Sequence, residues 1–480
     1  MSATHPVVDA LAGALGAGDL LVDAEATARY LVDWRGLWRG RTHAVARPRS
    51  TDEVAAVVTA CASHGVAVVP HGGNTSLCGG AIPAAAGDSV VLSLERMNRI
   101  RAVDRAGGTL VAEAGCTLAA VQAAAAAEGR LFPLSMGSEG SALIGGAIST
   151  NAGGTGVFRY GNTRDLVLGL EVVLPDGAVW NGLRALRKDN TGYDLKHLFI
   201  GAEGTLGVIT AATLRLVPRP VEQALAWVAL ASPRQAVALL AAAQERFDTR
   251  LTAFELLNGA QVELVVSHLE AARRPLAGRH AWHLLVELSD PLAGSAMVEH
   301  LTDFLGEAAE SGLVEDATIA TSVRQAEGFW LIRHALSDVN RDHGVSVTLD
   351  VAVPVSAVPA FVAAADEVVG REFPLGEVLV VSHLGDGNVH YIVQFAHPVW
   401  ARLEAPEDVR HAIFDRLHDV AIAHGGSFSA EHGVGAKLVT EMRRYKSPTE
   451  LAMMRAVKSA LDPTGLMNPG KVLPPPSSVG

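Results

Sequence analysis

Gly145-Gly146-Ala147-Ile148-Ser149-Thr150-Asn151-Ala152-Gly153-Gly154 places a glycine pair on either side of a short run of small and hydroxylated residues. Such a run leaves backbone N–H groups uncovered and lets a ligand come close against the chain. Three more clusters of this kind surround it: Pro70-His71-Gly72-Gly73-Asn74-Thr75-Ser76, Gly137-Ser138-Glu139-Gly140-Ser141 and Gly201-Ala202-Glu203-Gly204-Thr205-Leu206-Gly207. One cluster alone would be an ordinary turn, but four between Pro70 and Gly207, rich in Ser, Thr and Asn, describe a cradle. None reads G-x-G-x-x-G at the start of a helix after a first strand, and none reads G-x-x-x-x-G-K-[ST]. A doubly wound dinucleotide fold and a P-loop are therefore not supported, while loops that wrap a pyrophosphate without basic side chains are.

Working outward, helix and strand signals alternate from Arg47 to Val217. Thr51-Asp52-Glu53 caps a helix running to His64, and Val66-Ala67-Val68-Val69 reads as a short buried strand. Val217-Pro218-Arg219-Pro220 closes the segment and marks a domain junction. Beyond it come strands such as Leu225 to Leu230, His283 to Leu288 and Leu379 to Ser382. Alanine-rich helices separate them, among them Pro233 to Phe247 and Val358 to Val369. This order predicts an α+β fold whose second domain packs helices on one face of an antiparallel sheet. A last helix spans Pro448 to Leu461, and the tail from Pro474 to Ser478 is expected to fray. The domain expectation is residues 1–220, 221–425 and a C-terminal segment 426–480.

At 480 residues and 49% hydrophobic content the chain can fill more than one core. A net charge of -12 without a basic block argues against nucleic acid. Cys61, Cys78 and Cys116 show no C-x-x-C spacing and read as small buried residues. Met1 to Asp23 carries acids and no arginine, unlike a secretory or mitochondrial leader, and no run reaches the roughly 18 apolar residues of a membrane span. A cytoplasmic protein is expected.

Chemistry concentrates in two stretches, Ser382-His383-Leu384-Gly385-Asp386-Gly387-Asn388-Val389-His390 and Ala430-Glu431-His432-Gly433-Val434-Gly435. Most of the 18 histidines must be surface or packing residues. Here, however, imidazoles and a carboxylate sit on glycine turns that bring side chains together. Such a set suits a divalent metal with a base beside it, and spacing does not choose among zinc, manganese and iron(II).

These loops, with Lys188-Asp189-Asn190-Thr191-Gly192-Tyr193-Asp194-Leu195 and Asn468-Pro469-Gly470-Lys471, resemble the FAD-linked oxidases of the vanillyl-alcohol oxidase type. The pairing of His-Leu-Gly-Asp-Gly-Asn-x-His with Ala-Glu-His-Gly-Val-Gly is most similar to D-2-hydroxyglutarate dehydrogenases and their D-lactate dehydrogenase relatives. The resemblance runs from about Pro48 to Pro474. It implies a two-part FAD-binding domain, an antiparallel-sheet substrate domain and a C-terminal segment that returns to the flavin. Gly72, Gly73, Asn74, Thr75 and Ser76 would line the pyrophosphate. Gly137, Ser141, Gly146, Ser149, Asn151, Gly153 and Gly154 would continue the cradle. Glu203, Gly207 and Ile209 would lie near the adenine or isoalloxazine end, and Asn468 would approach the flavin. Some covalent members carry a histidine after the first paired glycines. Asn74 stands there in this chain, and an amide cannot form that linkage, so non-covalent FAD is expected.

The resemblance further implies that His383, His390 and Glu431 hold the metal, with zinc the first expectation. A D-2-hydroxy acid would chelate it, His432 would act as general base, and Arg333 would meet the substrate carboxylate. The α-hydrogen would leave as hydride to the flavin. Electrons would pass to an electron-transfer flavoprotein or a quinone or cytochrome, and a homo-oligomer is expected. Two alternatives carry distinct signatures: an oxidase would form peroxide, and a non-enzymatic metal protein would be colourless. The chain departs from the D-2-hydroxyglutarate pattern at Thr348, where a lysine is usual, and at Ile392, where an asparagine is frequent. Both departures remove polar partners for a second carboxylate, so apolar monocarboxylic substrates are expected beside the family default.

Overall fold

The computed structural model describes residues 5–16 and 18–475. The tail expected to fray lies partly outside the described residues. Two compact units divide the chain: Met1–Gly154 with Tyr160–Arg219 and Glu431–Gly480, and Thr155–Arg159 with Pro220–Ala430.

The first unit is built on two main sheets, each with its own core, and a two-stranded pairing of Arg130–Leu131 with Val217–Pro218. In one, strands Ala44–Ala46, Ser89–Ser93 and Ala67–His71 run parallel, and Leu20–Leu21 adds an antiparallel edge. Strand Ser89–Ser93 is buried along its whole length, as a parallel strand covered on both faces should be. Helix Thr51–Ser63 packs Val54, Val57, Val58 and Cys61 into this core. Its cap is Ser50, one residue before the expected position, whose Oγ accepts from the Glu53 N–H.

The other sheet is antiparallel, in the order Ile100–Asp104, Thr109–Glu113, Val208–Arg215, Val167–Val173, Val179–Gly182. Near the C-terminus the chain rejoins the parallel sheet. The Val68 N–H donates to the Leu466 carbonyl and the Asn468 N–H to the Val68 carbonyl, each at 2.8 Å. Helix Pro448–Leu461 precedes that return, with a capping box between Ser447 and Glu450.

The second unit is a seven-stranded antiparallel sheet. Its order is Asp316–Ile319, Glu222–Leu230, Trp282–Asp290, Leu251–Asn258, Glu377–His383, Asn388–Ala396, Gly344–Ala352. Helices cover both faces, not the single face expected. In strand Glu222–Leu230, Ala224, Ala226, Val228 and Leu230 join a core with helices Pro233–Phe247, Met297–Glu310, Val358–Glu372 and Pro406–Ala423. Leu225, Trp227 and Ala229 join a second core with helices Gly259–His268, Val323–His334 and Leu336–His343. A strand apolar on both faces needs two covers.

Cys61, Cys78 and Cys116 are buried, as read from their spacing, and form no disulfide among the described residues. Among the described residues no helix is long and apolar enough to cross a membrane.

Candidate active site

Within the first unit the glycine clusters converge. A Cβ on Gly73 would lie 1.9 Å from the Ser141 carbonyl oxygen, so only glycine lets the first loop pass the second this closely. The Gly201 N–H donates to Ile148, and the Glu203 N–H donates to the Ser149 carbonyl at 2.8 Å. Asn468 Nδ2 donates to the carbonyls of Gly80 and Glu203 at 2.9 and 2.8 Å, tying the C-terminal return to the same place.

Backbone strain marks these loops. Seven described non-glycine residues have positive φ, and Asn74, Asn151, Glu203 and Asn468 are four of them, at 55°, 50°, 51° and 42°. The left-handed region is uncommon for such residues and persists where surrounding contacts over-determine it. Those contacts are visible: Asn74 Nδ2 donates to the Val32 carbonyl at 2.8 Å, and Asn151 Oδ1 accepts from the Arg164 N–H at 2.9 Å.

A cofactor would find room and acceptors here. A Cβ on Gly137 or Gly146 would meet nothing within 4 Å, so both backbones are open to a ligand. Asn468 is 2% exposed and its Oδ1 has no partner, which suits a donor edge of a bound group. Ile209 differs from the other expected residues: its side chain packs in the core of the antiparallel sheet, leaving only its backbone to serve a ligand. Gly207 is likewise pressed against Val172 and Val173.

Glu203 has its own task. Its carboxylate accepts from the N–H groups of Val434 and Gly435 at 2.7 and 2.8 Å, and so grips the turn that follows His432. Burial pushes its pKa up, opposed by those two N–H groups and by Lys471.

In the second unit His383 and His390 flank one hairpin turn. Gly387, at φ 81°, makes the turn, and a Cβ there would strike the Val353 carbonyl. The imidazole centroids are 5.6 Å apart with planes inclined by 77°. His383 Nδ1 lies 2.8 Å from Glu255 Oε1, and His390 Nδ1 lies 3.7 Å from Asp350 Oδ1. A carboxylate behind each ring is the arrangement that orients imidazoles toward a cation. Glu431 is the residue after Ala430, whose N–H donates to the Asp350 carbonyl at 3.1 Å, and Asp350 pairs with His390 across the ladder. Chain continuity alone therefore delivers Glu431 beside the last backbone bond of this region.

Arg333 is no solvated helix residue. Its side chain is 11% exposed, and its Nε donates to Glu255 Oε2 at 2.7 Å. Burial alone would raise the Glu255 pKa, but His383 and Arg333 hold it down to about 2.

Sequence reasoning missed Glu255, and the one available signal was an acid inside the apolar strand Leu251–Asn258. It also missed Glu287. That carboxylate accepts from Trp330 Nε1 at 3.1 Å and is pushed up by burial to about 7.

The family described as FAD linked oxidases, C-terminal domain, matches residues 219–472, more than half the chain, and that described as FAD binding domain matches residues 42–182. The chain belongs to the FAD-linked oxidase family. It is an FAD-dependent oxidoreductase. D-2-hydroxyglutarate dehydrogenase of Xanthomonas citri pv. viticola is 37% identical to it, with 98% of this chain and 97% of that protein covered. The mitochondrial D-2-hydroxyglutarate dehydrogenase of Arabidopsis thaliana is 37% identical, with 96% of this chain and 80% of the relative covered. A D-2-hydroxyglutarate--pyruvate transhydrogenase of Saccharomyces cerevisiae is 32% identical, covering 94% and 90%.

Among solved structures, p-cresol methylhydroxylase aligns with a TM-score of 0.74 at 17% identity, over 97% of this chain and 96% of that one. Alkyldihydroxyacetonephosphate synthase aligns with a TM-score of 0.73 at 17% identity, over 96% and 84%. At that identity they show the fold, which is α+β and of the vanillyl-alcohol oxidase type.

Non-covalent attachment of FAD is the first expected outcome. The family resemblance puts Asn74 where covalent members carry a histidine, and its amide donates to the Val32 carbonyl. Acid or heat denaturation of this FAD-linked oxidase should release intact FAD into the supernatant. Flavin that stays with the precipitated chain would show the expectation to be wrong.

Proposed function

We propose that this FAD-linked oxidase dehydrogenates D-2-hydroxy acids to 2-oxo acids, assisted by a divalent cation, zinc first, held by His383, His390 and Glu431. The observation that carries the reading is the hairpin that presents His383 and His390, each with a carboxylate at Nδ1. FAD, when bound, would supply the hydride acceptor, and a cation held by His383, His390 and Glu431 would supply Lewis acidity toward the hydroxyl. The rest falls to the chain. Arg333 offers guanidinium N–H groups to the substrate carboxylate, and its Nε is fixed by Glu255. His432 takes the hydroxyl proton on its imidazole, whose ordinary pKa near neutrality suits a base.

The substrate side chain would meet Thr348 and Ile392. These two residues lie directly opposite each other in the ladder between Gly344–Ala352 and Asn388–Ala396. Val347, Leu349, Val389, Tyr391 and Val393 belong to the core on the opposite face. Alternation therefore puts Thr348 and Ile392 on the face of Asp350 and His390. Ile392 is 5% exposed among apolar neighbours. Arg341, the other basic candidate for a second carboxylate, pairs on the surface with Asp338 and Asp342. D-2-Hydroxyglutarate stays the default from the relatives, and monocarboxylic acids with apolar side chains are the proposed extension.

Anaerobic flavin bleaching should follow addition of D- but not L-2-hydroxy acids. kcat/KM compared for D-2-hydroxyglutarate, D-malate, D-lactate and a bulkier apolar D-2-hydroxy acid should show the apolar acid used at least as well as the dicarboxylates. Strong preference for the two dicarboxylates would refute the extension. Re-oxidation of the bleached flavin is expected with an electron-transfer protein or quinone, and pyruvate is the comparison suggested by the yeast relative. Rapid peroxide formation in air would instead make oxygen the acceptor.

A further inference from the structure

Glu255 stands directly opposite His383 in the ladder between Leu251–Asn258 and Glu377–His383, its side chain 2% exposed. Its two oxygens serve different partners. Oε1 accepts from His383 Nδ1 at 2.8 Å, and Oε2 accepts from Arg333 Nε at 2.7 Å. Arg333 Nη2 lies 3.2 Å from His383 Nε2, so the three side chains close a ring. A guanidinium can only donate. His383 Nε2 therefore accepts from it, and the ring proton sits on Nδ1, facing Glu255. One carboxylate thus selects the imidazole tautomer whose lone pair is on Nε2, which Arg333 Nη2 caps here and would yield to a cation, and also fixes the Nε edge of the guanidinium.

A purely structural role accounts poorly for this arrangement. Backbone pairing already joins the two strands, and helix Val323–His334 is already anchored by Phe329 and Ile332 in the apolar core. An apolar residue would hold those elements as well without desolvating an anion.

We infer that Glu255 is a positioning residue that sets the cation ligand His383 and the substrate-binding Arg333 together, so that cation affinity and substrate affinity fall together when it is changed. The inference rests on the roles proposed above for His383 and Arg333.

The test uses the FAD-loaded protein, stripped of divalent metal and titrated calorimetrically with Zn²⁺ alone and with Mn²⁺ alone. Stopped-flow flavin reduction then gives the substrate dissociation constant and the limiting rate separately. Glu255→Gln should lower zinc affinity by about 10–100-fold. The substrate dissociation constant should rise by a comparable factor, while the flavin spectrum stays that of the parent. Arg333→Ala should weaken substrate without lowering zinc affinity, because it removes a competing donor from His383 Nε2. If Glu255→Gln does not fold, Glu255→Asp keeps the charge but withdraws it by one methylene, and the same paired loss is expected. Parental zinc affinity in the Glu255 variant, or loss of only one of the two affinities, overturns the inference. Parent protein that binds neither cation overturns the proposed function along with it.

Discussion

Removing the divalent cation with a chelator is expected to abolish flavin reduction by a D-2-hydroxy acid while leaving FAD in place. The same outcome is expected from His383→Ala, His390→Ala or Glu431→Ala. A hydroxyl with an ordinary alcohol pKa gives up its proton slowly at neutral pH, and Lewis-acid polarisation is worth several kcal/mol of barrier. Losing it should cost roughly 10³-fold or more in the rate of reduction. FAD should stay because its expected contacts lie on other segments, the loops from Gly72 to Gly207 and the Asn468 return, which are tied to one another. The measurements are the anaerobic absorbance change with substrate and the FAD content of the same sample. Zinc or manganese added back should restore the parent protein but not the alanine variants. Full reduction of metal-free protein at the parental rate would remove the cation from the mechanism.

How far these sites could be read in advance depends on the reach of the contacts that make them. Helices Pro233–Phe247 and Pro448–Leu461 were legible to the residue because their signals are local: a serine cap, proline in the first turn and apolar residues at helical spacing. The glycine clusters were legible for the same reason. A left-handed asparagine or a backbone pressed against a carbonyl needs a particular residue type at a particular place, as at Asn74 and Gly73.

Strand order was not legible. Nothing near Leu251 says that its strand will pair with Glu377–His383, more than a hundred positions later, or that Met467 will bridge to Val68. The role of Glu255 depends on that pairing, since its carboxylate meets His383 only across the ladder. The number of helical layers was legible in part: Leu225 to Leu230 is apolar without alternation, a sign of burial on both faces. The expected single layer gave that sign too little weight. Arg333 was found through its family motif, but its burial beside an anion belongs to tertiary structure.

The last expected result concerns the base. His432→Ala should retain FAD and the cation yet lose roughly 10²–10⁴-fold in turnover, the usual contribution of a positioned general base. The fold supports this role through the backbone. Glu203 holds the N–H groups of Val434 and Gly435, and Cys78 Sγ donates to the Gly433 carbonyl at 3.4 Å, so the turn after His432 is fixed from two sides. Glu203 itself sits in a left-handed conformation at φ 51° within the fourth glycine loop, a strain that its buried hydrogen bonds must maintain. Glu203→Gln would put an amide N–H against one of two backbone donors. It should therefore slow turnover by misplacing His432 while leaving the cation ligands of the hairpin untouched. The two variants differ in their pH response. With His432 replaced, the rate of flavin reduction should lose the acid limb that a general base imposes, because the base that must be unprotonated is gone. With Glu203 replaced, that limb should persist at a lower rate. A His432→Ala protein that matches the parent in rate at every pH would leave His432 beside the chemistry and assign the proton to another group.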